Sequence, residues 1–130
     1  MNMDDKSKNE KGKSIKLIDE LLLHCEPDIM HDKMADWEAE YIKLTALIAQ
    51  HCTKWRGPGE YSKYIELSGR AIDYNLNHTE TLDLNRCVAT LVCIQREQHF
   101  AYSDVIGPRL KSGKLLKLAK RLKEIAKASY

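Results

Sequence analysis

The sequence contains few of the features that usually reveal a function. Its six glycines are dispersed, so they form neither a phosphate-binding loop nor a dinucleotide-binding fingerprint. No Ser or Cys lies in a known nucleophile signature, and no internal repeat is visible. These absences argue against the common nucleotide-dependent and nucleophilic enzyme classes. If the protein is an enzyme, it is a small one without a recognisable motif.

Long hydrophobic runs are also absent. No stretch approaches the roughly 18 continuous apolar residues that a membrane-spanning helix needs. The amino terminus is polar and contains acidic residues, unlike a secretory signal or a transit peptide. We therefore expect a cytoplasmic protein without a membrane span.

Residues 1–13 lack large hydrophobic side chains other than Met1 and Met3. Such a segment buries too little apolar surface to offset the conformational entropy that it would lose on ordering. We predict a flexible charged tail over residues 1–13 and a single helical domain over residues 14–130. The total of 130 residues suits one domain with its own core.

The most apolar stretch is Cys87–Ile94, in which only Thr90 is polar. Its β-branched residues also suit a buried strand, but apolar positions continue over 84–100 without Gly or Pro, which is longer than most strands. The pattern predicts a helix over about 82–101 that the other elements surround. Candidate N-caps are Thr79, Thr81 and Asp83.

Apolar residues recur at helical spacing in further segments. The clearest stripe predicts a helix over about 34–55, ended by Gly57-Pro58-Gly59, and Ser14 is a candidate N-cap for the first helix. We predict an all-α fold, a compact single-domain bundle of five or six helices around the helix at about 82–101. The other predicted helices cover about 14–25, 60–76, a short segment after Ser103 that breaks at Ser112-Gly113, and 114–128.

Four cysteines lie inside these apolar helical patterns, which favours reduced, buried thiols. The pairs His24-Cys25 and His51-Cys52 contain the residue types of a zinc site. Adjacent residues on a helix point about 100° apart, whereas helical metal sites use separations of three or four residues. We therefore expect no metal and no cofactor.

The net charge of +2 conceals an uneven distribution. Residues 19–83 carry thirteen acids against six Lys or Arg, and residues 84–130 carry ten Lys or Arg against three acids. The basic segment could bind an acidic protein surface, nucleic acid or anionic lipid, or its charges could pair with the acidic middle of the same chain. The candidate binding residues are Arg109, Lys111, Lys114, Lys117, Lys120 and Arg121.

Two alternatives to a protein-binding role follow from the same region. The break at Ser112-Gly113 between two helices is similar to a helix-turn-helix, which would make the basic helices a nucleic-acid-binding surface. However, Arg109 stands where that motif has a small residue, and Pro108 disturbs the first helix. The other alternative is a small enzyme with a cleft where the predicted helices end. The candidate cleft residues are Trp55, Arg56, Arg96 and His99.

The order of residues from Asp83 to Ile125 resembles the C-terminal part of a family of small bacterial and phage-associated proteins of unknown function. This resemblance is carried by Arg96 four residues before Phe100, then by Ser112-Gly113, and then by Leu115, Leu118 and Arg121-Leu122. It implies a helical C-terminal half and no particular chemistry. We expect a small non-catalytic interaction or inhibitor-type protein, of phage or mobile-element type, that presents a charged helical surface to a protein partner.

Overall fold

The structure is a computed structural model that describes residues 5–28, 34–56, 69–100 and 105–128. Every regular element within these ranges is helical, which confirms the all-α prediction. Six α-helices and one short 3₁₀ helix at Thr79–Thr81 lie in them. The α-helices are α1 (Asp5–His24), α2 (Met34–Arg56), α3 (Gly69–Asn77), α4 (Leu84–Phe100), α5 (Ile106–Lys111) and α6 (Lys114–Ala128).

The apolar stretch in the middle of the chain is buried, as predicted. Within α4, the continuous run from Cys87 to Leu91 is at most 2 % exposed. The helix packs against α2, α3, α5 and α6, and the Tyr41 hydroxyl of α2 donates a hydrogen bond to the Leu91 carbonyl at 2.9 Å. A helix that is apolar on almost every side is stable in water only when neighbours cover it in this way.

Helix α6 is as central as α4. It packs against α1, α3, α4 and α5, because it has a continuous apolar side of five buried residues. On the outside of the contact with α1, the Lys123 ammonium lies 2.6 Å from the Asp19 carboxylate. The buried residues of α6 are Leu115, Leu118, Ala119, Leu122 and Ala126.

Polar side chains determine where the central helices begin and end. Asp83 accepts a hydrogen bond from the Arg86 amide at 2.8 Å and caps α4, so it is the N-cap among the three candidates. Near the other end of α4, the Gln98 Oε1 atom accepts hydrogen bonds from the amides of Val105 and Ile106 at the start of α5. Gly113 has a φ of +80° and ends α5, in agreement with the predicted break.

The prediction for the amino terminus was wrong. Helix α1 begins at Asp5 rather than at Ser14, and the flexible tail predicted for residues 1–13 is helical from residue 5. Ser14 and Lys11 are buried and continue the inward stripe of Ile18 and Leu21 at helical spacing. Hydrophobicity missed this extension because its inward residues are polar, whereas its Lys and Glu residues have high helix propensity.

The stripe predicted for α2 is buried at four of its positions and half-buried at His51. Trp37, Tyr41, Leu44 and Ile48 are at most 4 % exposed. Residues 57–68, which contain Gly57-Pro58-Gly59 and most of the predicted third helix, lie outside the described residues. None of the helices described is long and apolar enough to cross a lipid bilayer.

Candidate functional site

The outward side of α6 carries most of the predicted basic surface. Its opposite side is buried in the core, so Lys117, Lys120 and Lys127 are held in exposed positions. Lys114, at the start of the helix, is half-buried. None of these four lysines forms an ion pair with another residue of the described ranges. We call these four residues, together with Arg121, the lysine face.

Arg109 does not belong to this surface, and its assignment to the exposed basic residues was wrong. The residue is 7 % exposed, and its guanidinium links two other helices. Nε and Nη2 each lie 3.1 Å from Oδ1 of Asp73 on α3, and Nη1 lies 3.0 Å from Oε2 of Glu97 on α4. Arg109 is therefore a structural cation that joins α3, α4 and α5. In the sequence, Arg109 lies three residues after Ile106 and directly before Leu110, and both of these residues are buried. On a helix, this spacing places Arg109 on the same side as the core residues, which was the available signal for its burial.

Some of the remaining basic side chains pair with acids of the same chain, as the uneven charge distribution allowed. Two ion pairs connect the acidic middle with the basic C-terminal part. One joins Arg109 to Asp73, and the other joins Lys123 to Asp19. Lys111 is exposed on α5. The pairing with the acidic middle thus uses Arg109 and Lys123, whereas Lys117, Lys120 and Lys127 are exposed to the solvent.

Arg121 has two roles. It makes hydrogen bonds within the fold, and it also borders a groove. Its Nε donates to the Leu82 carbonyl at 3.1 Å, and Nη1 lies 3.4 Å from a Glu124 carboxylate oxygen. The groove beside it, between the 3₁₀ helix and α6, has a volume of about 220 Å³. Its described lining residues are Thr79, Glu80, Lys117, Lys120, Arg121 and Glu124.

The predicted cleft of Trp55, Arg56, Arg96 and His99 stays a prediction, because two of its four side chains are not described. Arg96 and His99 are exposed on α4, whereas the side chains of Trp55 and Arg56 lie outside the described residues. An open cleft of about 480 Å³ does lie beside the C-terminal half of α4, but Glu97 of that helix lines it. The other described lining residues are Asp73, Val105, Pro108, Arg109, Ser112 and Lys114.

The cleft has little capacity for acid–base chemistry. Its carboxylates, Asp73 and Glu97, are both engaged by the Arg109 guanidinium. Gly69 leaves room for the second of these groups, since a Cβ there would lie 2.9 Å from Oε1 of Glu97. The arrangement is that of a buried arginine paired with two partly exposed carboxylates, and it joins three helices.

The thiols are buried, as predicted, for the three cysteines whose side chains are described. Cys25, Cys87 and Cys93 are buried and form no disulfide bond with another described residue, and Cys52 lies among the side chains that are not described. Burial raises the pKa of Cys25 from its ordinary 9.0 to about 12, and the Glu26 charge adds to this rise. Burial also raises the pKa of Cys87 to about 12, although the Arg121 charge opposes the rise. Neither group is a thiolate nucleophile at neutral pH.

The His24-Cys25 pair is used for packing between α1 and α2. His24 Nε2 lies 2.8 Å from the Trp37 carbonyl oxygen, and Trp37 Nε1 donates to the His24 carbonyl at 2.8 Å. The two rings stack with centroids 4.5 Å apart. Since a carbonyl only accepts, Nε2 carries a proton and is not available as a metal ligand. Among the described side chains, no group of three or more His, Cys, Asp or Glu residues could hold a metal ion.

No protein-family model, curated protein or solved structure matches this chain. The resemblance of residues 83–125 to small phage-associated proteins therefore stays a prediction.

Proposed function

We propose that this protein is a small non-catalytic binding protein that presents the lysine face of α6 to an acidic surface of a protein partner. The observation that carries the proposal is the separation of the basic residues into two groups. Arg109 and Lys123 neutralise acids of the fold, whereas Lys117 and Lys120 are exposed without an ion pair to another described residue.

The packing of α6 supports a role in binding. The helix packs against four other helices, so the backbone of its exposed lysines is held in place, although their side chains are flexible. A backbone that is ordered before association needs less reordering when a partner docks. Complementary charge also accelerates the encounter and excludes partners of the wrong sign.

Acidic residues beside the lysine face favour a protein partner over nucleic acid. Glu124 and Glu80 line the same groove as Lys117 and Lys120, and they would repel a continuous phosphate backbone. The helix-turn-helix alternative also loses support, because α5 has only six residues and its Arg109 is buried. An acidic protein surface that carries some basic residues fits such a mixed pattern better.

Charge reversal tests the proposal. The Lys117→Glu/Lys120→Glu variant should lose at least about tenfold in affinity for proteins that the wild type captures from cells expressing it. Lys16→Glu/Lys43→Glu is the matched control, because both lysines are exposed, lie on α1 and α2, and give the same change in net charge. Capture should weaken as NaCl rises from about 0.05 to about 0.5 M.

Two outcomes would overturn the proposal. One is equal capture by the lysine-face variant and the wild type. The other is a nucleic-acid gel shift that weakens steeply with salt and is lost in the lysine-face variant, which would assign the surface to DNA or RNA.

A further inference from the structure

The groove between the 3₁₀ helix and α6 combines one charge that is held by the fold with two exposed charges. Arg121 is the held one, since its side chain is 29 % exposed and its Nε is hydrogen-bonded to the Leu82 carbonyl. The side chains of Glu80 and Glu124 are 73 % and 69 % exposed. The guanidinium is thus part of the groove wall, whereas the two carboxylates extend into the solvent.

The Arg121 guanidinium has donor capacity left for a ligand. Nε is occupied by Leu82, and Nη1 makes a long contact of 3.4 Å with Glu124. Nη2 donates to no other residue of the described ranges. An arginine held in one orientation with unused N–H groups is well suited to bind an oxyanion.

The groove has a net positive charge without any ligand. Lys117 and Lys120 on α6 add two ammonium groups beside Arg121, and Thr79 adds a hydroxyl on the opposite side. Three cations against the carboxylates of Glu80 and Glu124 leave one positive charge over. This balance matches a single oxyanion rather than a chain of phosphates.

We propose that this groove binds one oxyanion of the partner, either a carboxylate or a phosphorylated side chain, with Arg121 as the principal donor. Lys117 and Lys120 flank the oxyanion, and Thr79 donates its hydroxyl. Glu124 is an internal competitor, because its carboxylate occupies the position beside Nη1 that the oxyanion takes. This inference rests on the proposed function for the origin of the oxyanion, whereas the site itself is testable without a partner.

Small anions probe the site directly. The 130-residue chain is titrated with acetate, as a carboxylate, and separately with methyl phosphate, at constant ionic strength maintained with NaCl. The observed signals are the Arg121 Nε–H group and the amides of Thr79, Glu80 and Thr81 in NMR spectra. Saturable shifts of these signals with either anion support the site and identify the preferred oxyanion. Shifts that rise linearly with both anions would overturn it.

Two variants with opposite expected effects make the test specific. Arg121→Lys keeps the charge but loses the fixed planar donor, and it should weaken the tighter-binding anion by about fivefold. Glu124→Gln removes the competitor and should tighten binding by about threefold, as expected for loss of an exposed ion pair. Glu20→Gln is the control for the charge change, because Glu20 is exposed on α1. A Glu124→Gln variant that binds no tighter than Glu20→Gln contradicts the assigned role of Glu124.

Failure of this inference is distinguishable from failure of the proposed function. Partner capture that depends on Lys117 and Lys120 but is unchanged in Arg121→Lys would leave the function in place and remove the oxyanion site. Saturable anion binding without any captured partner would leave the site in place and remove the function.

Discussion

Burial decides the role of Arg109. On sequence alone it is one basic residue among several, but in the fold its guanidinium is surrounded by protein and bonded to two carboxylates. An arginine at such a position does not attract an acidic partner, because the two carboxylates already neutralise its charge. Removing the guanidinium would leave Asp73 and Glu97 facing each other without a cation.

Arg109→Met is therefore expected to lower the free energy of unfolding by about 1–3 kcal/mol in urea denaturation. The loss stays below that of a fully buried pair because the side chains of Asp73 and Glu97 are 53 % and 29 % exposed. Lys111→Met is the matched control on the same helix, where the exposed side chain should change stability by less than about 0.5 kcal/mol. Equal stability of the two variants would mean that the ion pairs contribute nothing net.

Individual site residues were less predictable than the helices that carry them. Lys117 and Lys120 were correctly placed on an exposed surface, because the apolar stripe of α6 determines which side faces outward. Arg109 was misplaced because its partners, Asp73 and Glu97, are 36 and 12 residues away in sequence. Charge counts along a chain do not reveal which ions pair across it.

Helix positions followed from the sequence wherever apolar periodicity was strong. Helix α6 was predicted at about 114–128 and spans Lys114–Ala128, and α4 was predicted at about 82–101 and spans Leu84–Phe100. The start of α1 was missed by nine residues, since polar Lys11 and Ser14 take the inward positions there. A helix held by propensity and by buried polar side chains has no hydrophobic signal at that end.

The N-cap of α4 provides a test at a single helix end. Asp83→Ala removes the acceptor for the Arg86 amide and should lower stability by about 0.5–1 kcal/mol, equivalent to roughly 2–4 °C in thermal unfolding. Asp83→Asn is the control, because its side-chain carbonyl oxygen can accept the same hydrogen bond. An alanine variant as stable as the asparagine variant would show that the cap does not stabilise α4.

In the bundle as a whole, polar groups have two roles: some join helices to each other, and others lie on the surface. Inward polar groups such as Arg109, Tyr41 and Gln98 join helices through hydrogen bonds, and the lysines of α6 remain outside. The same helix that completes the core thus displays the charge. Substitutions of the exposed Lys117 and Lys120 should affect binding without affecting folding, whereas substitutions of the inward groups should affect both.

Buried thiols and a buried phenol make the stability of the entire domain sensitive to alkaline pH. Burial raises the pKa of Cys25 and Cys87 from 9.0 to about 12, and it raises the pKa of Tyr41 well above its ordinary 10.0. Between pH 9 and 12 the folded protein therefore keeps protons that the unfolded chain releases. The unfolded state binds fewer protons in this window, so the stability that is fully present below pH 9 must fall as pH rises.

Urea unfolding with a reducing agent at several pH values from about 7 to about 10.5 measures this loss. Each thiol should contribute up to about 1.4 kcal/mol per pH unit above pH 9. Cys25→Ala/Cys87→Ala is less stable at every pH because it creates cavities, so the comparison concerns the slope rather than the absolute stability. The slope above pH 9 should be shallower in this variant, with Tyr41 contributing above pH 10. An identical slope in the variant and the wild type would mean that the two thiols ionise as readily in the folded protein as in the unfolded chain.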